Sequence, residues 1–164
     1  MPKGSKKYRA NVAVFVVNRH GEILVCERSD YDGAWQIPQG GIEKGEKLRE
    51  AAIRELYEEI GTCSVGFLAK IPGTFRYDWP KALRKKGIKG QEQTFFIFRI
   101  SPWAKIDLKR AARKDKNIKQ EFRSYEFLPA RKFLNRINGF KKKNYSKALS
   151  LALKKYPTAF ESQK

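Results

Sequence analysis

The sequence predicts one α/β domain in which helices pack on a mixed β-sheet. Short β-branched, apolar runs alternate with amphipathic stretches along the chain, which is the pattern of mixed strands and helices. The 164 residues suit a single domain, and apolar residues form 41% of them, as in a folded globule. No segment of low complexity divides the chain. We therefore expect one domain over residues 1–164, with an ordered core from about 8 to 156.

The individual elements are predicted from apolar patterning and turn residues. A short apolar piece at 35–37 leads into a loop at Gly40 and Gly41, and Gly61 has the position of a helix C-cap glycine. Two polar, basic loops are expected at 78–92 and 105–120. The predicted strands are 8–17, 22–27, 63–70, 93–100 and 121–128. The predicted helices are 47–60, 129–137 and 141–155.

The composition excludes some functional classes and favours others. No apolar stretch approaches the roughly 20 residues that cross a bilayer, and no signal peptide is evident, so we expect a cytoplasmic protein with no membrane partner. Cys26 and Cys63 lack metal-ligand spacing and are interpreted as small buried hydrophobes, and His20 as a turn residue. The net charge of +19 attracts polyanions and favours a nucleic acid or nucleotide as partner.

The helix at 47–60 carries the main chemical signal. The apolar residues that should face the core follow i, i+3, i+4, i+7 spacing: Ile53, Leu56, Tyr57 and Ile60. Three carboxylates gather on roughly the opposite side, next to two alanines: Glu55, Glu58 and Glu59. Such a self-repelling cluster calls for a counter-ion, and carboxylate oxygens are the ligands that Mg²⁺ prefers. A solvated acidic helix face is the alternative interpretation.

The residues around this helix resemble the Nudix box. From Gly40, five residues lead to Glu46, seven more lead to Arg54-Glu55-Leu56-Tyr57-Glu58-Glu59-Ile60-Gly61, and every required Gly, Glu and Arg is in register. Thr62 departs from the usual aliphatic residue. The resemblance implies a Nudix-type α/β/α sandwich with a catalytic loop–helix–loop and C-terminal helices. It also implies hydrolysis of a phosphoanhydride bond with two or more Mg²⁺ or Mn²⁺ ions.

The same resemblance assigns roles within the box. Glu55, Glu58 and Glu59 would be catalytic metal ligands, with help from the backbone carbonyl of Gly40. Arg54 and Glu46 would form a structural salt bridge that orients the helix. The remaining catalytic step then needs positioning and charge stabilisation more than covalent help from the protein.

Segments outside the box resemble one branch of the superfamily, the bacterial RNA pyrophosphohydrolases and the asymmetric diadenosine tetraphosphate hydrolases. The chain departs from that branch at Ala10 and Gln120, where proline is usual. The matching segments extend from about residue 8 to 155: Tyr8-Arg9-Ala10-Asn11-Val12, Ala34-Trp35-Gln36-Ile37-Pro38-Gln39-Gly40-Gly41, Tyr77-Asp78-Trp79-Pro80, Gly90-Gln91-Glu92-Gln93, Gln120-Glu121-Phe122-Arg123, and Phe140-Lys141 before Tyr145.

This second resemblance implies a substrate site around the metals. Glu121 would be a fourth carboxylate ligand, with an exposed glutamate after a basic loop as the alternative. Arg28 and Phe140 would sandwich a base, although Phe140 could equally be a core residue at a helix start. The other predicted substrate contacts are Arg9 and Lys141 on phosphate, Gln39 beside Gly40, and Tyr77 and Gln93 along the polyphosphate channel. An ordinary strand aromatic is the alternative interpretation of Tyr77.

Three basic segments favour RNA with a 5′-triphosphate or diphosphate end as substrate: residues 81–89, 105–119 and 141–143. Single-stranded RNA binds a protein through its phosphates and stacked bases, so it gains most from such a surface. Dinucleoside polyphosphates would use the same residues and remain open. A catalytically weak RNA-binding module on a Nudix scaffold is the alternative from another class. ADP-ribose and oxidised nucleotides suit the flanking segments less well. No obligate protein partner is predicted.

Overall fold

The computed structural model describes residues 7–164; residues 1–6, where the predicted domain begins, lie outside the described residues. Eight strands and four helices form the fold. The strands are β1 (Tyr8–Val17), β2 (Ile23–Arg28), β3 (Trp35–Gln36), β4 (Gln39–Gly41), β5 (Val65–Lys70), β6 (Phe75–Asp78), β7 (Gly90–Ile100) and β8 (Phe122–Leu128). The helices are α1 (Leu48–Ile60), α2 (Arg110–Lys114), α3 (Ala130–Arg136) and α4 (Lys142–Lys155).

The strands form one mixed sheet. Its path runs β3-β2-β1-β7-β5, while β4 pairs with β1, β6 with β7, and β8 with β2. The parallel β1–β7 pair is the centre of the sheet, in register from Tyr8 opposite Gly90 to Val17 opposite Arg99. The neighbouring antiparallel pairings bring β4, β6 and the start of β8 to the end of the sheet where β1 begins.

Alternate residues of β1 and β7 enter two separate cores, because successive side chains of a strand point to opposite faces. Phe15 and Phe95 pack under α3 and α4, where Phe133 and Tyr145 complete that layer. On the other face, side chains of β1, β2 and β7 pack with the small and apolar residues of α1. The molecule is therefore an α/β/α sandwich, as the sequence predicts.

The predicted faces of α1 need correction. Ala51, Ala52, Leu56 and Ile60 are fully buried, whereas Ile53 and Tyr57 are only partly buried. The outer side of the helix is partly covered by α2, whose Arg110 and Lys114 lie over the Tyr57 ring. Because Ala51 and Ala52 are small, α1 lies close to the sheet. The neighbouring side chains of Glu55 and Glu59 are buried as a result, whereas Glu58 remains partly exposed.

Other predicted elements lie within a few residues of the observed ones, and Gly61 ends α1 in the left-handed conformation at φ 75°. The sequence analysis missed β4, β6 and α2, of three, four and five residues. Cys26 is buried as expected, but Cys63 is exposed, because β5 begins only after it. No helix within residues 7–164 is long and apolar enough to cross a membrane.

Candidate active site

The loop before α1 brings the backbone against a carboxylate of the helix. Gly40 lies in β4, opposite Val12 of β1, and the carboxyl group of Glu55 packs directly on it. A Cβ atom on Gly40 would stand 2.0 Å from the carboxyl carbon of Glu55, far inside contact distance. Only glycine therefore allows this approach of strand and helix.

Glu59 is the second enclosed carboxylate. It is 7% exposed and accepts a hydrogen bond from the backbone N–H of Gln39 at 3.1 Å. Burial raises the pKa of Glu59 well above its ordinary value, and the carboxylates of Glu55 and Glu121 raise it further. Burial also raises the pKa of Glu55 to about 7, although Arg54 opposes that rise. Burial thus disfavours the charged forms of both Glu55 and Glu59.

Arg54 joins the box loop to the carboxylates of α1. Its Nε and Nη2 atoms donate to the two carboxylate oxygens of Glu46 at 2.7 and 2.9 Å, so the predicted ion pair is present. Nη2 also donates to the carbonyl oxygen of Gly41 at 2.8 Å. Nη1 donates to Glu55 at 2.9 Å and to Glu58 at 3.2 Å. One guanidinium therefore fixes the loop and engages two predicted metal ligands.

Glu121, which immediately precedes β8, is placed beside the other carboxylates. Its backbone carbonyl accepts a hydrogen bond from the N–H of Ser29 at 2.9 Å, which ties this segment to the end of β2. Its charge acts on the pKa of Glu59, and on those of Arg28 and Lys141, so its side chain faces the same region. The fold thus gathers a carboxylate that is more than sixty residues away from α1 in sequence.

The chemistry of this cluster fits a hard divalent cation. The Glu55 carboxylate lies against a glycine cradle that any Cβ would fill, and carboxylate oxygens are the donors that such a cation prefers. Within residues 7–164, however, no group of three or more His, Cys, Asp or Glu side chains already stands in an arrangement that could hold a metal ion. The Glu58 carboxylate is engaged by Arg54 instead. Joint ligation by the predicted set therefore requires side-chain rotation and stays a prediction.

A polar channel opens next to the carboxylates. It is a cavity of about 290 Å³ whose lining includes Arg9, Gln39, Tyr77, Phe140 and Lys141, all predicted substrate contacts. The Arg9 side chain reaches over Gly41, and the amide of Gln39 donates to the Tyr77 hydroxyl at 3.4 Å. Burial lowers the pKa of Lys141 to about 8, with a further lowering by Arg28. The channel is therefore lined by cations beside the acidic cluster.

A larger cavity of about 550 Å³ adjoins this channel and shares Arg28, Phe140 and Lys141 with it. The two predicted stacking residues thus border one space. Neither is free in this conformation: Arg28 is paired with Asp30 at 2.6 Å, and the Phe140 ring packs on Tyr77 with centroids 5.6 Å apart. Phe140 is nevertheless 40% exposed, which argues against the alternative that it is an ordinary core residue.

Comparison with known proteins agrees with this architecture. The model of the NUDIX domain matches residues 7–148. The chain belongs to the Nudix family. Nudix hydrolases generally use divalent metal ions such as Mg²⁺, which suits the oxygen-rich donor set around Gly40.

Several RNA pyrophosphohydrolases are similar to this chain in sequence. That of a Nitratiruptor species is 39% identical over 150 residues, covering 88% of this chain and 92% of that protein. Those of Helicobacter pylori and Campylobacter jejuni are each 38% identical, over 88% and 90% of this chain and 93% and 94% of their own lengths.

Solved structures share the fold at low sequence identity. The E. coli dihydroneopterin triphosphate pyrophosphohydrolase superposes with a TM-score of 0.66 at 17% identity, covering 88% of this chain and 99% of that one. A C. elegans Ap4A hydrolase gives 0.59 at 16% identity, covering 87% and 98%. At such identities the likeness establishes only that this chain has a Nudix fold.

One predicted substrate contact needs correction. Gln93 is fully buried, donates to Asn11 at 2.8 Å and accepts a hydrogen bond from Asn144 at 2.8 Å. Its polar atoms are therefore used within the interior of the Nudix fold rather than in the channel. Asn144 also donates to the carbonyl oxygen of Phe75, so this amide network joins α4 to β1, β6 and β7.

The sequence analysis missed residues that position the channel groups. The buried hydroxyl of Tyr145 donates to the Gln39 side chain, and Lys141 donates to the Gln36 side chain. Gln91 contacts the Tyr77 hydroxyl and lines the channel. Most of these contacts join residues more than a hundred positions apart, so no local spacing could have indicated them. Tyr145 and Gln91 did lie in segments that resemble the family branch, which was the available signal.

Proposed function

We propose that this Nudix hydrolase cleaves the phosphoanhydride bonds at the 5′-triphosphate or diphosphate end of RNA and leaves a 5′-monophosphate. The observation that carries the proposal is the cation-lined channel at the carboxylates, which opens into a cavity bordered by Arg28 and Phe140. A phosphate chain would fit the channel, and the base that follows it would fit the adjoining cavity. The 38–39% identity to RNA pyrophosphohydrolases over most of the chain supports the same substrate.

The carboxylates would hold the metal ions. Glu55, Glu58, Glu59 and Glu121 supply oxygen donors, with the Gly40 carbonyl as an additional donor, and Mg²⁺ or Mn²⁺ in two or more sites is the proposed occupant. Bound ions would neutralise phosphate charge and lower the pKa of a coordinated water. Arg54 would release Glu58 for this role while keeping its two hydrogen bonds to Glu46.

The channel residues would bind and orient the phosphates. Arg9 and Lys141 provide positive charge, and Lys141 is held in place through its hydrogen bond to Gln36. Gln39 is fixed from two sides, by Tyr77 and Tyr145, so its side chain is preorganised at the junction of channel and metal site. Fixed donors of this kind stabilise developing charge without reorganisation during the reaction.

The second nucleotide of the RNA would stack between Arg28 and Phe140. Such stacking requires Arg28 to leave Asp30 and the Phe140 ring to turn from Tyr77. An exposed ion pair of this type contributes little, so the exchange is inexpensive relative to base stacking of about 1–3 kcal/mol. This step distinguishes RNA from a lone nucleoside triphosphate. An RNA substrate also fits a cytoplasmic location, which we propose with it.

The test compares kcat/KM for a short 5′-triphosphorylated RNA and for diadenosine tetraphosphate, with Mg²⁺ and with EDTA. The RNA should be preferred, and Phe140→Ala should lower its turnover by about ten- to a hundredfold while hardly affecting ATP. Glu58→Gln serves as the metal-site control and should depress hydrolysis of every substrate. Preference for the dinucleotide, with no Phe140 effect on RNA, would favour the diadenosine polyphosphate reaction. Absence of any metal-dependent turnover would favour a binding module.

A further inference from the structure

A second cleft lies at the end of the sheet opposite the carboxylates. It has a volume of about 710 Å³, and we call it the distal cleft; its lining includes Arg19, His20, Ile100, Lys105, Tyr125 and Phe127. β1 begins beside the channel at Arg9 and ends just before Asn18, which borders the distal cleft. Arg9 in the channel and Asn18 in the distal cleft are nine residues apart along β1, which at about 3.3 Å each corresponds to roughly 30 Å.

The distal cleft combines aromatic surface with positive charge. Tyr125 is 43% exposed, and its ring meets that of Phe127 edge to face, with centroids 6.3 Å apart. Arg19 and Lys105 are exposed on its rim. In the part of the chain that the structure describes, no aspartate or glutamate lines the distal cleft. This composition suits an anionic ligand that also presents flat apolar faces.

Three acidic side chains of neighbouring segments do not line the distal cleft. Glu126 points to the opposite face of β8, where Arg136 pairs with it. Glu22 accepts a hydrogen bond from the Asn18 amide at 3.0 Å, and Asp107 pairs with Arg113. Glu126 and Asp107 are therefore paired with arginines that do not line the distal cleft, whereas Glu22 keeps its negative charge beside Asn18.

The alternation of β8 explains why two aromatic side chains reach the distal cleft. Tyr125 and Phe127 lie opposite Cys26 and Leu24, both of which face α1, so both rings project to that side. Beside α1, the loop after β7, including Ile106, covers part of that side, and the outer part of Tyr125 remains exposed. An exposed tyrosine alone would need no explanation. The position of Tyr125 in a concave, cationic cleft, however, indicates a binding surface.

We propose that the distal cleft binds a single-stranded segment of the RNA downstream of its 5′ end, with Tyr125 stacking on a base and with Arg19 and Lys105 contacting phosphates. The inference rests on the proposed function. β8 connects the sites directly, since Glu121 precedes it at the catalytic end and Tyr125 lies four residues further, or roughly 13 Å. An RNA held by its 5′ end presents its downstream bases at high effective concentration, so weak stacking there is sufficient.

The first experiment measures binding without catalysis. A fluorescent single-stranded RNA of about 20 nucleotides with a 5′-hydroxyl end is titrated with the full-length protein by anisotropy, a length chosen to exceed one binding site. Tyr125→Ala and Lys105→Ala should each weaken binding by roughly tenfold or less, and Tyr125→Phe should retain it. Lys154→Ala removes the same charge from an exposed position of α4 outside the distal cleft and should have a smaller effect. Circular dichroism verifies that each variant is folded.

The second experiment separates this site from the catalytic one. Tyr125→Ala should raise KM for a long 5′-triphosphorylated RNA while kcat, and both constants for a trinucleotide, stay unchanged. Equal binding of the 5′-hydroxyl RNA by wild type, Tyr125→Ala and Lys105→Ala overturns the inference and leaves an acidic protein as the occupant to consider. If Tyr125→Ala impairs the reaction equally with the long RNA and with the trinucleotide, the inference is also overturned. If wild type hydrolyses no RNA, the proposed function fails, while the anisotropy data still decide whether the distal cleft binds RNA.

Discussion

Gly40 and Gly41 are adjacent in the chain but meet very different neighbours. A Cβ on Gly40 would stand 2.0 Å from the Glu55 carboxyl carbon, whereas a Cβ on Gly41 would lie 3.4 Å from the flexible end of Arg9. The carboxylate of Glu55 cannot move far, because it is buried and accepts a hydrogen bond from Arg54. The two positions therefore allow a matched test of how strictly the site depends on close packing of loop and helix.

Gly40→Ala should lower hydrolytic activity by about 10²-fold, because displacement of a metal ligand by about 1 Å has costs of that order. Gly41→Ala should lose much less activity, since a flexible side chain can give way. The measurement is kcat/KM with saturating Mg²⁺ for both variants, together with their thermal midpoints. Comparable losses in the two variants would contradict the assignment of Gly40 as the cradle of Glu55.

At the level of secondary-structure elements, Arg54 determines how α1 is attached to the loop before it. Arg54→Ala should lower the free energy of unfolding by about 2 kcal/mol, because it leaves the partly buried carboxylate of Glu46 without its partner. Activity should fall as well, because the loop that carries Gly40 is then less fixed. Thermal unfolding with and without Mg²⁺ measures the first effect, and turnover of a 5′-triphosphorylated RNA the second.

Arg49→Ala is the matched control for this prediction, because Arg49 lies on the same helix and stacks over Phe67 with 3.5 Å between its guanidinium carbon and the ring centroid. Loss of this partly exposed contact should cost only about 0.5–1 kcal/mol and should not change catalysis. A loss of activity in Arg54→Ala with an unchanged thermal midpoint would instead indicate that Arg54 contacts the substrate directly.

The helix α1 and the strands show which features of the fold and the site could be predicted from sequence patterns and which could not. The carboxylates of α1 follow from local spacing, and so do the long strands, whose apolar patterns repeat over many residues. The buried face of α1 was misjudged, since periodicity cannot tell that Ala51 and Ala52, rather than Ile53 and Tyr57, meet the sheet. The three residues of β4 show no period, and the alternation of β6 extends over only four residues, too few to identify a strand. The burial of Gln93 depends on Asn11 and Asn144, which lie 82 and 51 residues away.

For the whole molecule, the distribution of charge matters more than its sum. A net charge of +19 indicated a polyanionic partner but could not say where it binds. The fold confines buried negative charge to Glu55, Glu59 and their neighbours, and places cations along the adjoining channel. A chain that is strongly basic overall therefore contains an enclosed acidic centre, and that centre should make the stability of the protein depend on pH and on divalent metal together.

Without divalent metal, the thermal midpoint should fall as the pH rises from 4.5 through 7. The pKa of Glu55 is raised from 4.5 to about 7 by burial, and that of Glu59 is raised in the same direction. The folded state then binds more protons than the unfolded state, so stability is complete below pH 4.5 and is lost as these groups ionise. The lowered pKa of Lys141, about 8, acts in the opposite direction only at higher pH.

Mg²⁺ should reverse this dependence, because it replaces the protons of the buried carboxylates. Added at about 100 times its Kd, it should stabilise the protein by about 2.7 kcal/mol, with a larger shift of the midpoint above pH 7 than near pH 4.5. Differential scanning fluorimetry over this range, with EDTA or with Mg²⁺, measures both effects. Glu55→Gln should flatten the metal-free curve, because the amide cannot ionise. A metal-free midpoint that rises with pH, or a Mg²⁺ effect that is independent of pH, would mean that these carboxylates do not hold the metal.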